Sequence, residues 1–355
     1  MKIAVLTFPL LNNYGGILQA FAMMKMLKNL GHEPMLVNLK LRIDIKFKIK
    51  YFIKRYLLCC FKKYRNPVDF AQNKNIKKFI KNNINPKTKK IYNIDELYAL
   101  FNENNFNACI VGSDQVFALM GIYNFTGIYS LYFLHDNIIR IAYAASFGGD
   151  TYRGDKTKID FYSKNLKKFE LISVREKSGV EICNKIFGVE ATHVLDPTMM
   201  INKNNYIKLF RYIKESKSEG KILAYILDKN GVKDNTIKNI SKNKNLCIYE
   251  INDGKSTDNT VSIEGWIKAI YDAEIVITDS FHGCVFSIIF NKQFYCFINE
   301  ERGADRFYSL LDIFNLRNRI IDNSTNFNNN INYNNINKLL LDFIEKSRSI
   351  LKKSI

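Results

Sequence analysis

No apolar run in this chain of 355 residues reaches the ~18–20 residues that a bilayer span requires, so a transmembrane segment is not expected. The opening MKIAVLTFPLLNNYGG also lacks the marks of a secretory leader. Its apolar stretch is short, Pro9 interrupts it, and no small-residue cleavage site precedes the glycine pair. A first buried strand fits it better. Zinc and redox spacings are missing among the seven cysteines (Cys59, Cys60, Cys109, Cys183, Cys247, Cys284 and Cys296). They read as small buried hydrophobes of a reducing cytoplasm. The glycine-rich fingerprint of dinucleotide-binding folds is absent, as is any internal repeat. Histidine is scarce, at four residues, which draws attention to any that stands at a strand end.

What is present suits two domains of ordinary size. The chain is long for one core, and 47% hydrophobic residues with 26 Phe and 20 Tyr supply two. A formal charge of +19 raises nucleic acid as a partner. The basic residues are spread along a chain rich throughout in Lys, Asn and Ile, as AT-rich coding would give. Only part of the charge is therefore functional, suited to anionic small substrates or an anionic membrane surface. A nucleic-acid binder needs a localised basic and aromatic platform, and residues 41–65 are the one candidate; no nucleic-acid partner is expected.

Strand-like and helix-like segments alternate, the pattern of an α/β fold with parallel sheets. Lys2–Phe8 reads as a buried strand, Gly15–Leu30 as a helix closed by Gly31, and Pro34–Leu39 as the next strand. Residues 41–92 break the rhythm as a basic, partly helical insert. Strands resume at Ala108–Gly112, Arg140–Ser146 and Leu171–Val174, and Ser178–Phe187 reads as a helix. Asp196-Pro197-Thr198 reads as the turn between domains. Beyond it, strands are expected at Ile222–Leu227, Leu246–Ile251, Glu274–Thr278 and Gln293–Ile298, with helices at Gly265–Ala273 and His282–Phe290. The expected domains are 1–195 and 196–321, followed by an Asn-rich loop and a terminal helix in 322–355. Two open α/β sheets place a ligand cleft at their strand C-terminal ends.

Several segments at such ends carry chemistry. Asn13, Tyr14, Gly15 and Gly16 open the first helix, where glycines admit a close ligand and free amides hold an anion; a tight turn that needs glycine is the equal alternative. Ser113 and Asp114 follow a buried strand, and Asp114 is placed either to take a proton from a hydroxyl or to cap a helix. Arg175 and Glu176 end another strand; the arginine suits bidentate recognition of a carboxylate or phosphate, against a surface pair of little energetic weight. Asp279, Ser280, His282 and Gly283 pass from an apolar strand to a helix start, where an imidazole that titrates near neutrality meets a positive dipole end. Arg302 and Arg306 stand in a charged stretch that either completes a cationic pocket or is a solvated loop.

Taken in order, LTFPLLNNYGGILQAFA, VGSDQVF, RIAYAASFG, ISVREKSG, VLDPTMM, ITDSFHGCVFSIIF and RFYSLL resemble the polysaccharide pyruvyl transferase family across nearly the whole chain. The resemblance implies two Rossmann-like domains facing across a cleft, as in GT-B glycosyltransferases. It also implies transfer of the enolpyruvyl group of phosphoenolpyruvate to a sugar of a cell-surface polysaccharide or its lipid-linked precursor, forming a pyruvate ketal and releasing phosphate. The family's arginine maps to Arg175 and its cleft histidine to His282. Some members carry Arg-Leu before that histidine; here Ser280-Phe281 stands there, so the missing cation falls to Arg302 or Arg306.

In the expected scheme Arg175, Arg302 and the helix start at Gly283 hold the donor, and His282 acts on the phosphate or as the acid. Asp114, or else Asp279 or Glu176, serves the acceptor. Neither metal nor cofactor is required beyond the donor substrate. The expected location is cytoplasmic, with residues 41–65 either resting on anionic lipid at the inner face of the membrane or covering the first domain. The rival enzyme is a GT-B glycosyltransferase with a nucleotide-sugar donor, its base and ribose read by Glu301 or Asp305. A non-catalytic binding protein on the same fold is the third reading.

Overall fold

The computed structural model describes residues 1–40, 74–121, 125–214, 216–251, 261–300, 303–322 and 324–355. Its first sheet has seven strands: β1 (Lys2–Leu6), β2 (Glu33–Leu39), β3 (Lys87–Ile91), β4 (Ala108–Val111), β5 (Ile139–Ala145), β6 (Leu171–Val174) and β7 (Thr192–His193). They lie in the order β3-β2-β1-β4-β5-β6-β7, and each neighbouring pair is parallel. The second sheet has four: β8 (Ile222–Tyr225), β9 (Ile248–Ile251), β10 (Ile275–Thr278) and β11 (Gln293–Cys296), in the order β11-β10-β8-β9 and again parallel. β4, β8 and β10 are buried at every position, which is why they read as unbroken apolar runs.

In each sheet the chain winds outward from a central pair, β1 and β4 in the first and β8 and β10 in the second. The loops leaving such a pair diverge and open a crevice at their C-terminal ends. Asn13–Gly16, Ser113-Asp114 and Asp279–His282 all follow these central strands.

The expected elements are found with shifts of one to a few residues: the first helix spans Tyr14–Asn29, the second-domain helices Ile263–Asp272 and Phe281–Ile289. The terminal helix, expected from its apolar spacing at Leu339–Leu351, spans Tyr333–Lys353. The basic insert needs correction. Residues 74–92 hold a helix, Lys74–Asn83, and the edge strand β3, whose sequence KTKKI buries only Thr88 and Ile91. Its lysines hid it from a search for apolar runs and protect an open sheet edge from pairing. Residues 41–65, expected at the membrane or over the first domain, lie outside the described residues.

One apolar cluster runs through both domains. It joins Ile3, Leu18 and Ile141 of the first to Trp266, Phe286 and Leu311 of the second. Tyr14 packs on Trp266 with ring centroids 5.9 Å apart and donates its hydroxyl to the Val261 carbonyl at 2.5 Å. The terminal helix returns to the first domain, where Ser347 Oγ accepts the Leu195 N–H at 3.2 Å and Leu351 is fully buried. Among the described residues no helix is long and apolar enough to cross a membrane.

Candidate active site

The two domains meet at a buried cluster of charge. Arg175 leaves the end of β6 and is only 3% exposed, so its pairing with Glu176 is not the surface arrangement weighed above. Its Nη1 donates to Asp196 Oδ2 at 3.0 Å and to Ser113 Oγ at 3.2 Å. Nη2 lies 3.6 Å from Asp114 Oδ1, and Nε 3.9 Å from Glu176 Oε2. The guanidinium also stands 4.8 Å from the centre of the Phe281 ring, contributed by the second domain. Arg306 approaches the same ring at 5.5 Å.

Asp196 ties this group together. Its Oδ1 accepts the N–H and the hydroxyl of Thr198, at 3.0 and 2.7 Å, as the cap of a short turn. Its Oδ2 accepts from Ser113 Oγ at 2.8 Å and from Arg175, and lies 3.7 Å from His282 Nε2. Burial opposes ionisation of Asp196, but the His282 ring, the Arg175 charge and the Thr198 hydroxyl outweigh it and hold the carboxyl well below the usual carboxylate range. Burial instead raises the Glu176 carboxyl, against the pull of Arg175 and of the Phe147 N–H bound at 2.6 Å.

His282 occupies the first turn of the helix Phe281–Ile289 and is 7% exposed. Its ring presses on the start of the first-domain helix: a Cβ on Gly15 would lie 2.0 Å from Nδ1. Gly16 stands beside Asp114, whose Oδ2 would be 3.1 Å from a Cβ there. The glycine pair thus admits an imidazole and a carboxylate from opposite sides of the domain junction. Asp114 itself has φ 110°, a left-handed conformation that costs a non-glycine residue roughly 1–3 kcal/mol and that recurs where function demands it.

Other expected residues are engaged locally. Asn13 Oδ1 accepts the Gly16 N–H and Ser280 Oγ the Gly283 N–H, so both are helix caps. Gly283 is required by packing, since its Cβ would stand 2.5 Å from Thr278 Oγ1, and its N–H serves the cap. Tyr14 is buried in the domain contact. The Asp279 oxygens are taken by the N–H groups of Leu227 and Asp228, at 2.6 and 3.0 Å, and by Lys233 Nζ at 2.7 Å, so it braces the β8 loop. Asp305, a ribose reader in the rival scheme, accepts from Ser178 Oγ at 2.5 Å and so joins the domains. Arg302 and Glu301 lie outside the described residues.

A purely cationic pocket is therefore corrected. Asp114, Glu176 and Asp196 surround Arg175, and its charge is largely met within the protein. Asp196 and Phe281 were not singled out from the sequence as site residues. The turn signature Asp196-Pro197-Thr198 was visible, but it accounts for only one of the two carboxylate oxygens. Among the described residues no group of three or more His, Cys, Asp or Glu is arranged to hold a metal.

Two parallel sheets facing each other across this junction define a GT-B-like fold. The chain belongs to the polysaccharide pyruvyl transferase family, whose model matches residues 13–301. A structure described as a UDP-N-acetylglucosamine 2-epimerase from Listeria monocytogenes is similar at TM-score 0.51 and 8% identity, over 99% of this chain and 90% of that one. The UDP-bound S. aureus MnaA gives 0.49 at 10% identity, over 98% and 90%. The glycotransferase of kitacinnamycin gives 0.46 at 9%, over 99% and 93%. At such identities the likeness is one of fold. No curated protein matches the sequence significantly.

Proposed function

We propose that this protein moves the enolpyruvyl group of phosphoenolpyruvate onto a sugar of a cell-surface polysaccharide or its lipid-linked precursor, forming a pyruvate ketal and releasing phosphate, and that it works on the cytoplasmic side. The observation that carries the reading is the meeting of His282 and Arg175 on Asp196 at the domain junction, beside the helix start at Gly15-Gly16. Membership of the family supports it.

Ketal formation starts with a proton delivered to C3 of the donor, which leaves positive character at C2. His282 is placed to supply that proton, with the Asp196 carboxylate beside it balancing the imidazolium. A sugar hydroxyl bonds to C2 and gives up its proton, for which Asp114 is the base held in place by Arg175. The C2–O bond to phosphate then breaks. A second hydroxyl closes the ketal, and its proton leaves with the phosphate. His282 and the half-buried Arg306 face the donor's anionic groups, while Arg175 orients the carboxylates.

His282→Ala should abolish phosphate release, a loss of about 10²–10⁴-fold for a positioned acid, while leaving the melting temperature nearly unchanged. Mass spectrometry for a pyruvate ketal on the acceptor reads the product directly. Near-normal turnover in that variant would remove the role of His282. Phosphoenolpyruvate, but not nucleotide sugars, should raise the melting temperature of the full chain. The reverse preference would favour the glycosyltransferase.

A further inference from the structure

We propose that Asp196 is the positioning residue of this site: it fixes the imidazole of His282 across the domain junction through Nε2 and keeps Arg175 and Ser113 in register with it. The inference deepens the functional reading above and rests on it for its kinetic part alone.

Three features of the geometry lead there. First, the carboxylate is held rigidly. Thr198 binds one oxygen twice, and Ser113 and Arg175 bind the other, so neither oxygen is free to rotate away. Second, its partners come from four places in the chain: the ends of β4 and β6, the turn at Asp196–Thr198, and the second-domain helix that carries His282. Asp114 and Glu176, the other carboxylates of the cluster, pair with Arg175 and not with His282. Third, His282 Nε2 is buried without a hydrogen-bond partner among the described residues, and its charge partner is Asp196 at 3.7 Å. A shift of about 0.8–1 Å at the junction would convert that separation into a charge-assisted hydrogen bond of roughly 2.7–2.9 Å.

The groups around the ring are few. Asp196 faces Nε2, the Gly15 backbone faces Nδ1, and the Phe281 ring meets the imidazole edge-on at 5.2 Å. Arg175 shares Asp196 Oδ2 and opposes a positive imidazole, and Asp114 lies beyond Gly16. An N–H aimed at Asp196 fixes which ring nitrogen carries the proton when the ring is neutral. Without the carboxylate no hydrogen-bond partner of Nε2 among the described residues selects it.

The full chain labelled with ¹⁵N-histidine shows four imidazoles, and that of His282 is the one lost in His282→Gln. With the ring neutral, the parent should show a single Nε2–H tautomer and Asp196→Ala a mixture. An unchanged tautomer in Asp196→Ala overturns the proposal. Should that variant not fold, the isosteric Asp196→Asn decides by a split between binding and turnover. It removes a negative charge beside Arg175, so phosphoenolpyruvate affinity by calorimetry should hold or tighten. Phosphate release with cell-envelope glycan as acceptor should fall about 10²-fold. In the His282→Gln background the same change should cost no further turnover, because the two residues act as a unit. Turnover within about threefold of the parent in Asp196→Asn overturns the proposal, as do losses that multiply in the double variant. If the parent itself neither binds phosphoenolpyruvate nor releases phosphate, the functional reading falls, and the tautomer still decides the role of Asp196.

Discussion

Gly15 is where the site is most sensitive to a single atom. A Cβ there would sit 2.0 Å from His282 Nδ1, a distance no packing tolerates. Alanine is the better helix former by ~1 kcal/mol, so the helix itself gains from the exchange. Gly15→Ala should therefore fold, yet displace the imidazole and lower turnover by about 10²-fold, the usual cost of a misplacement near 1 Å. Steady-state phosphate release checks the turnover and circular dichroism the fold.

The two perturbed carboxyls give opposite dependences on pH. Asp196 is depressed when folded, so its contribution is present above its unfolded value of 3.8 and fades as pH falls below it. Glu176 is raised, so its proton stabilises the fold below 4.5 and that benefit is lost as pH climbs through the folded value. At pH 8, Asp196→Asn should be less stable than the parent and Glu176→Gln at least as stable. The gap between the two variants should narrow toward pH 4. Urea melts at both pH values measure it.

Among the elements, the helix Phe281–Ile289 carries the most consequence. It is buried along its whole length and presents His282 from its first turn, so its seat on β10 sets the imidazole's position. Gly283 makes that seat possible, with Thr278 Oγ1 and Cγ2 at 2.5 and 2.9 Å from its Cβ direction. Gly283→Ala overpacks this contact and should destabilise by about 1–3 kcal/mol, read as a lower urea midpoint. Phe281, the departure from the Arg-Leu pattern of some relatives, lies within cation–π distance of both Arg175 and Arg306. An aromatic face thus draws two like charges to one site, where an arginine at position 280 would have added a third. Elsewhere the elements were legible from their own residues: apolar runs marked β4, β8 and β10, and Gly31 marked the end of the first helix. The edge strand β3 was not, because its three lysines carry no sign of the neighbour that makes KTKKI a strand.

The whole molecule holds its domains together by an apolar core shared between them, reinforced by the returning terminal helix. Ser347 satisfies the Leu195 N–H at the domain crossover, and Leu351 is sealed in the shared cluster. A chain ended before residue 333 should lose this brace and melt earlier, with reduced cooperativity between domains in calorimetry. Fold class, the succession of two α/β sheets along the chain and the strand-end placement of Asp114, Arg175 and His282 followed from the sequence alone, since apolar periodicity and glycine positions are local properties of the chain. Which of those residues touch was decided only by tertiary structure. Asp196, 21 residues from Arg175 and 83 from Ser113, becomes their common partner through sheet order and domain docking. The same contacts turned an expected cationic hollow into a compensated cluster, because the energy of a buried charge depends on neighbours that local sequence does not specify.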